Sequence, residues 1–551
     1  MIKTIEKYPV LTLLVVVLLV MLPGLGHLKV TIMEARNFIT AREMLSDGNW
    51  ILTTMNGVPR YEKPPLPTWI TAMFGGMFGI QNVYVLRLPA VLMVWMTGSF
   101  TYLFSKTLTG NKRNSLINGL IAVTSFYVIG IVVEAPWDIY THGFMIAAIY
   151  YLYKALKSFN IWNLVAASLL IACSVLSKGP ISLYALLLPF LIAYAIVNGI
   201  KNKFLVKSIL VLLVGLAIGS VWFIYVRIAD SETFMKIATV ETANWSSYNV
   251  KPFYYYWSFF IQSGIWALPA LVGLLYPYMI KRVKLKKDYQ LSLLWTIFAV
   301  VLLSLVPEKK SRYLMPVLIP LAINTGHYIF YIVNNLGKIK SSVEKIPIYF
   351  HFGILAFSAI LFPLIAFIFF EEKMLANSTA FLIYCLGLLI SGSFMCFFLC
   401  FKVGTSTLYS SIISFIFLFV TAIPLNPGFT NQNTHYKSIS NLKSEAAKEN
   451  IPVYSLDLIS PEMLWDYGGI IPQIPELNQR YQMPNVERFG VLVTDTTLIT
   501  AGAFNKEYTI QHKETYDINF GKYGTRKHKP RYVSNYYIFQ RGLVKNIDNG
   551  N

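Results

Sequence analysis

Residues Met33–Pro67, MEARNFITAREMLSDGNWILTTMNGVPRYEKPPLP, gather Glu34, Arg36, Arg42, Glu43, Glu62 and Lys63 in a chain whose charged residues make up only 13% of the total. Three further stretches have the same character: Glu134-Ala-Pro-Trp-Asp138, Ser177-Lys178-Gly179-Pro180 and Glu308-Lys309-Lys310-Ser311-Arg312-Tyr313. Such a set suits attack on a carbon whose leaving group is a lipid phosphate. An acid orients or deprotonates the attacking group, and cations stabilise the charge that develops on the phosphate. Arg grips phosphate with a planar fork and Lys as a point charge, so the 308–313 stretch is the strongest phosphate site on physical grounds alone. Lys310 is its weaker member, because adjacent residues cannot share a helical face with one another.

Each of these residues also has a simpler reading. Glu34 and Asp138 stand at helix starts, where an acid is favoured by the helix dipole and can cap the first turn. Lys178 stands at a helix end, where a lysine snorkels toward water. Glu62 and Lys63 form a charged pair held by Pro64-Pro65, whose fixed φ biases the chain toward extended or turn geometry. Cys173, Cys385, Cys396 and Cys400 all lie in apolar runs and read as packing, with neither a disulfide framework nor a zinc pattern.

The elements that must position these residues are membrane helices. The chain has 551 residues, 55% of them hydrophobic, and its mean hydropathy is +0.53. Its apolar runs predict an α-helical polytopic membrane protein with about thirteen spans of about 20 residues each. They fall near 8–27, 84–105, 114–132, 138–156, 161–176, 179–198, 205–226, 255–280, 289–306, 312–334, 347–370, 379–401 and 405–424. The 66–80 stretch is short and Gly-rich and reads as a re-entrant or interfacial piece. The first run is long for a signal peptide and no cleavage motif follows, so it reads as an uncleaved helix. A net charge of +20 belongs largely to loops obeying the positive-inside rule, which removes nucleic acid as the expected partner.

Loop charge predicts a cytoplasmic N-terminus, with Lys106, Lys112, Arg113, Lys154, Lys157, Lys201, Lys203, Lys207, the 281–287 run, Lys338, Lys340 and Lys345 inside. Arg36, Lys63, Lys178, Lys309, Lys310 and Arg312 then fall outside against that rule, together with Glu34, Glu62, Glu134 and Asp138. The expected domains are a membrane domain over 1–427, including an external loop 28–83, and a small external α/β domain over 428–551. In the latter VYSL, FGVLVTD, YTIQHKETYDI and SNYYIFQR read as strands, and SISNLKSEAAKEN and PEMLWDYGG as helices. A transporter or flippase of a lipid-linked or anionic substrate is the alternative class. It predicts inverted repeats and mid-membrane charge, and the sequence has neither.

The 33–79 stretch, with its YEKPPL block, resembles the N-terminal signature of the bacterial lipid A aminoarabinose transferases. These are GT-C membrane glycosyltransferases related to protein O-mannosyltransferases. Lys178-Gly179-Pro180, Lys309…Tyr313…Pro316 and Asp138 match later elements in the right order, and the resemblance covers roughly residues 1–425. It implies transfer of a sugar from a polyprenyl-phosphate donor, undecaprenyl phosphate being the expected lipid, to a periplasmic-side acceptor such as lipid A, another envelope glycan or a protein. The expected place is the bacterial inner membrane, with the C-terminal domain periplasmic. By the same resemblance Glu34 and Asp138 are the catalytic candidates, and Arg36, Tyr61, Lys63, Lys178, Lys309, Arg312 and Tyr313 bind substrate or its phosphate. Relatives commonly carry an acid where this chain has Met33, so either Glu34 takes that role alone or the role shifts to another residue. Some relatives hold a divalent metal through the Glu of EKPP, which makes Glu62 the candidate ligand, although no histidine partner stands in 228–252.

Overall fold

The computed structural model describes residues 2–542 apart from 27, 377, 402–403, 426–430, 478–479, 502–503 and 505–506. The chain divides into two compact units, Met1–Gly26 with Tyr61–Leu425, and His27–Arg60 with Asn426–Asn551. The stretch 27–60, expected within the membrane domain, therefore clusters with the C-terminal unit.

The first unit is helical and polytopic. Among the described residues seven helices are long and apolar enough to cross a membrane, and an eighth span forms if Lys112–Val123 and Phe126–Glu134 are taken together across their 43° bend. Three shorter apolar helices, Pro9–Gly24, Leu183–Asn198 and Thr405–Val420, fall on expected spans. The expected span over 255–280 is not a continuous helix. It breaks into 3-10 turns, Phe253–Tyr256 and Phe259–Trp266, with Gly264 at φ 66°, followed by the short helix Ala267–Gly273. Apolarity alone does not distinguish a span from a folded aromatic shelf, and this segment is the shelf. The Gly-rich 66–80 piece is a helix, Leu66–Phe78.

Close helix contacts in this unit rest on small residues. A Cβ added at Gly143 in the helix Pro136–Lys157 would come within 2.9 Å of Met93 Cε and 3.0 Å of Thr97 Oγ1. Pro136–Lys157 and Ile161–Lys178 are antiparallel neighbours zipped by hydroxyls. Thr141 Oγ1 donates to the Ser174 carbonyl at 2.8 Å, and Ser174 Oγ donates to the Thr141 carbonyl at 2.6 Å. This pairing brings the first turn of one helix beside the last turn of the other.

The second unit is α/β. Strands β1 (Val453–Ser455), β2 (Arg488–Val493), β3 (Tyr508–Asp517) and β4 (Val533–Arg541) form one sheet in the order β1-β2-β4-β3. The β1–β2 pair is parallel and the other pairs antiparallel. All four coincide with expected strands, and Leu442–Lys448 and Pro461–Tyr467 with the expected helices. After its exposed Arg488, strand β2 is apolar because both faces are covered: Leu492 packs in one core and Phe489, Val491 and Val493 in the other.

The helix Ile32–Asp47 joins this unit. Its Ala35, Phe38 and Ile39 are buried, Ile39 in the core beneath the sheet and the Phe38 ring 5.3 Å from Trp465. The spacing of Ala35, Phe38, Ile39 and Leu45 on one side predicts an interfacial helix opening at Glu34; it is instead a core helix of the α/β unit, and of that face only Leu45 is exposed. Glu43 is consumed by structure. Its carboxylate accepts Asn56 N–H at 2.6 Å, Thr54 Oγ1 at 2.6 Å and Gly57 N–H at 3.2 Å, clasping an Asn-Gly turn with φ 57° and 74°.

Candidate active site

Within the first unit the expected residues converge. Asp138 lies in the first turn of Pro136–Lys157 and Lys178 in the last turn of Ile161–Lys178, each at the helix end its charge favours. The hydroxyl zipper sets the two helices so that Lys178 Nζ donates to Asp138 Oδ1. Asp138 is 2% exposed, and its other oxygen, Oδ2, is buried without a hydrogen-bond partner. One oxygen is held by a cation and the other is uncommitted, which is the arrangement of an oriented carboxylate.

Tyr313 extends the site from a distant part of the chain. Its ring centre lies 5.2 Å from Lys178 Nζ and 5.5 Å from Lys310 Nζ. Its hydroxyl donates to Glu308 Oε1 at 3.0 Å, the atom that also accepts Lys310 Nζ at 2.5 Å. Lys178 is further within electrostatic reach of Lys63 and Arg312. Arg312 faces Glu134, which is hydrogen-bonded with Tyr127 and within reach of Asp138. Lys63 pairs with Glu241 at 3.3 Å, and Tyr61 OH donates to Asp230 Oδ2 at 3.0 Å. Burial, then this bond, pushes the Tyr61 phenol up to about 12.

The broken 253–266 segment explains how 308–313 is held. Tyr256 OH donates to the Lys310 carbonyl at 3.1 Å, Tyr255 OH is 3.1 Å from Ser311 Oγ, and Gln262 Nε2 donates to the Ser311 carbonyl at 3.1 Å. Lys309 belongs to this scaffold. It is 2% exposed, and its ammonium donates to the Val306 carbonyl at 2.6 Å and the Lys251 carbonyl at 3.0 Å. The expected ranking of this stretch therefore reverses: Lys309 is turned to the backbone, and Lys310 faces the Tyr313 ring.

Glu34 and Arg36 lie in the second unit. Glu34 is 1% exposed and completes a capping box: its Oε2 accepts Thr31 N–H at 3.0 Å, and its own N–H donates to Thr31 Oγ1 at 3.4 Å. The Arg36 carbonyl accepts Arg60 Nη1 at 3.3 Å. Glu62 gains no companions for a metal, since the described residues contain no group of three His, Cys, Asp or Glu side chains able to hold an ion. The sequence reading gave no role to the acids that match the cations, Glu241 and Glu308, although Glu308 stands directly before Lys309 and Lys310.

A family model for dolichyl-phosphate-mannose-protein mannosyltransferases matches residues 62–225. The crystal structure of ArnT from Cupriavidus metallidurans bound to undecaprenyl phosphate superposes with a TM-score of 0.68 over 97% of both chains, at 15% identity. The two chains share a fold. An undecaprenyl phosphate-alpha-4-amino-4-deoxy-L-arabinose arabinosyl transferase of Proteus mirabilis is 26% identical over 339 residues, 60% of this chain and 61% of its own length. An uncharacterized protein of Aquifex aeolicus is 26% identical over 342 residues, 59% of this chain and 66% of its own length. The match thus spans between three-fifths and two-thirds of these relatives. The chain is a multi-pass membrane protein of this fold, with the small sheet domain in its C-terminal part.

Proposed function

We propose that this chain is a glycosyltransferase of the bacterial inner membrane that moves a sugar from a polyprenyl-phosphate donor to an acceptor on the periplasmic side. The observation that carries the reading is the convergence of Lys63, Lys178 and Arg312 around Asp138 and Tyr313, drawn from three separate parts of the membrane unit. The activity of the Proteus mirabilis relative and the ArnT complex with undecaprenyl phosphate support the donor class. The positive-inside pattern supports a cytoplasmic N-terminus and an external C-terminal unit.

In this reading the donor phosphate sits among Lys63, Lys178 and Arg312. The acceptor oxygen attacks the sugar's anomeric carbon, the carbon–oxygen bond to the phosphate breaks, and polyprenyl phosphate leaves with the bonding pair. The cations stabilise the charge gathering on that phosphate. Asp138 orients the acceptor and takes its proton when the acceptor is a hydroxyl. An acceptor phosphate is already ionised and needs only orientation.

Every cation of the site has a carboxylate nearby: Lys178 with Asp138, Lys310 with Glu308, Lys63 with Glu241 and Arg312 with Glu134. A donor phosphate competes with these partners for the same charges, so binding is an exchange of one anion for another. The test is transfer by the purified protein in nanodiscs from a labelled polyprenyl-phosphate sugar, beside mass spectrometry of lipid A and envelope glycans from cells with and without the gene. The expected result is a sugar missing from one envelope component in the deletion strain. No change in any of them, with no transfer in vitro, overturns the reading.

A further inference from the structure

The reading above leaves one charged feature of the second unit unused. Between β3 and β4 the chain runs GKYGTRKHKPR over 521–531, and from Ile518 to Tyr532 it contains no Asp or Glu. Lys522, Arg526, Lys527 and Lys529 are exposed, and no described acid pairs with any of them. Apart from this loop, the second unit carries a slight excess of acids. The positive charge is therefore concentrated in one place. Tyr523 stands among these cations, 66% exposed.

The loop is built, not slack. At its base Asp517 accepts His528 Nε2 at 2.8 Å and Asn433 Nδ2 at 2.8 Å. Asn519 ties across the loop, its Oδ1 accepting Lys529 N–H at 2.8 Å and its Nδ2 donating to the Lys529 carbonyl at 3.1 Å. Gly524, at φ 78°, makes the turn at the tip, and Thr525 N–H donates to the Lys522 carbonyl at 3.2 Å. Lys29 braces both ends, with Nζ 4.1 Å from the Tyr532 ring centre and 5.1 Å from that of Phe520. A folded scaffold thus holds four cations that pair with no acid among the described residues.

We propose that the 521–531 loop is a docking surface for the phosphate headgroups of anionic bilayer lipids. Clustered Lys and Arg beside a bilayer are drawn to anionic headgroups, each contributing about a fivefold gain in affinity. An exposed tyrosine among them suits the headgroup region, where amphipathic rings settle. The chain itself holds this unit to the bilayer, joining it to the membrane unit at 26/27, 60/61 and 425/426. The partner is a phospholipid surface, because four cations spread over a short turn suit many mobile phosphates better than one fixed ligand.

The test uses the full chain in vesicles, with Cys173, Cys385, Cys396 and Cys400 replaced by alanine and a fluorophore at Thr525→Cys. A matching label at Glu487→Cys, at the far end of β2 and β4, is the control. Vesicles carry a headgroup spin-label quencher in phosphatidylcholine alone or mixed with phosphatidylglycerol. Quenching at 525 is expected only with phosphatidylglycerol, and it should fall to the level at 487 in 0.5 M salt or on replacing Lys522, Arg526, Lys527 and Lys529 by Gln. Replacement of the same four by Glu should transfer the quenching to vesicles containing a cationic lipid, which separates docking from misfolding. Equal quenching at 525 with and without phosphatidylglycerol, or quenching that survives the Gln replacements, overturns the proposal. Relief of quenching only by added soluble polyanion, with no dependence on lipid charge, overturns it too.

Discussion

The Lys178 ammonium stands 5.2 Å from the centre of the Tyr313 ring while donating a hydrogen bond to Asp138. One lysine therefore joins a carboxylate at a helix start to an aromatic ring that follows a different span. Removing it strands Asp138, which is 2% exposed, as a buried charge without its cation. Lys178→Met should cost about 3–5 kcal/mol of stability. The double variant Lys178→Met with Asp138→Leu should recover most of that loss without recovering transfer. Thermal unfolding in detergent beside a transfer assay reads both. A double variant no more stable than Lys178→Met would mean that the two charges are not coupled.

Tyr313 acts through two separable groups. Its hydroxyl meets Glu308 at 3.0 Å, and its ring lies beside Lys178 and Lys310. Tyr313→Phe keeps the ring and leaves Glu308 with Lys310, so donor affinity should change by less than about threefold. Tyr313→Ala removes the cation–π contacts with Lys178, Lys310 and Arg312 and should weaken donor binding by about 0.5–2 kcal/mol. Equal losses in the two variants would place the hydroxyl, and not the ring, on the donor.

In the proposed reading Glu241, paired with Lys63, competes with the donor phosphate for that lysine. The pair is partly exposed, at 23% and 41% for the two side chains, so its own worth to stability is small. Glu241→Gln should leave the unfolding midpoint almost unchanged and tighten donor binding by about two- to fivefold, with Lys63→Ala moving affinity the other way. Titration of a non-hydrolysable donor by calorimetry checks both signs. Weaker binding in Glu241→Gln would show that the acid helps to hold the donor.

How far the site was legible depends on what fixed each residue. The strands of the C-terminal unit were readable because alternating and fully apolar runs have little freedom of interpretation once turns bound them. The Asp138 and Lys178 positions were readable because a charge at the end of an apolar helix is unusual in itself. The role of Lys309 was not, because a lysine that donates to the Val306 and Lys251 carbonyls looks in sequence like one that binds phosphate. The helix Ile32–Asp47 was placed correctly as a helix but with the wrong neighbour, since an apolar face does not state what will cover it. The break in 255–280 depends on Tyr255, Tyr256 and Gln262 reaching the 310–311 backbone, a tertiary match that local hydropathy cannot contain.

Lys29 gives the second unit a pH signature. Burial lowers its amine from 10.5 to about 8, against partial compensation from Glu462 and Asp517. Between about pH 8 and 10.5 the unfolded chain then binds a proton that the folded chain has released. Stability must rise with pH across that window and level off above it. The side chain is partly solvated, so the gain is about 1–2 kcal/mol at most. Tyrosines titrate at the upper end, and comparison with Lys29→Met isolates the lysine. The wild-type minus variant difference should grow in favour of wild type from pH 8 to 10. A flat difference would mean that the amine keeps an ordinary pKa in the fold.

The choice of catalytic acid separates Glu34 from Asp138. Sequence resemblance favours Glu34, because relatives commonly have two acids there and this chain keeps one. The structure gives Glu34 a local task, accepting Thr31 N–H in a capping box, whereas Asp138 keeps a buried oxygen with no hydrogen-bond partner. Gln serves a capping box nearly as well as Glu, and the lost helix-end charge costs only about 0.3–1 kcal/mol. Glu34→Gln should therefore fold and transfer sugar within a few-fold of wild type. Asp138→Asn should keep the fold and donor binding but lose turnover by about 10²–10⁴-fold if the acceptor is a hydroxyl that needs a base. With a phosphate acceptor the loss should be smaller and should appear in KM as well as kcat, since orientation is all that remains to be lost. Full activity in Asp138→Asn together with an inactive, folded Glu34→Gln would move the catalytic role to the first helix of the α/β unit and remove Asp138 from the mechanism.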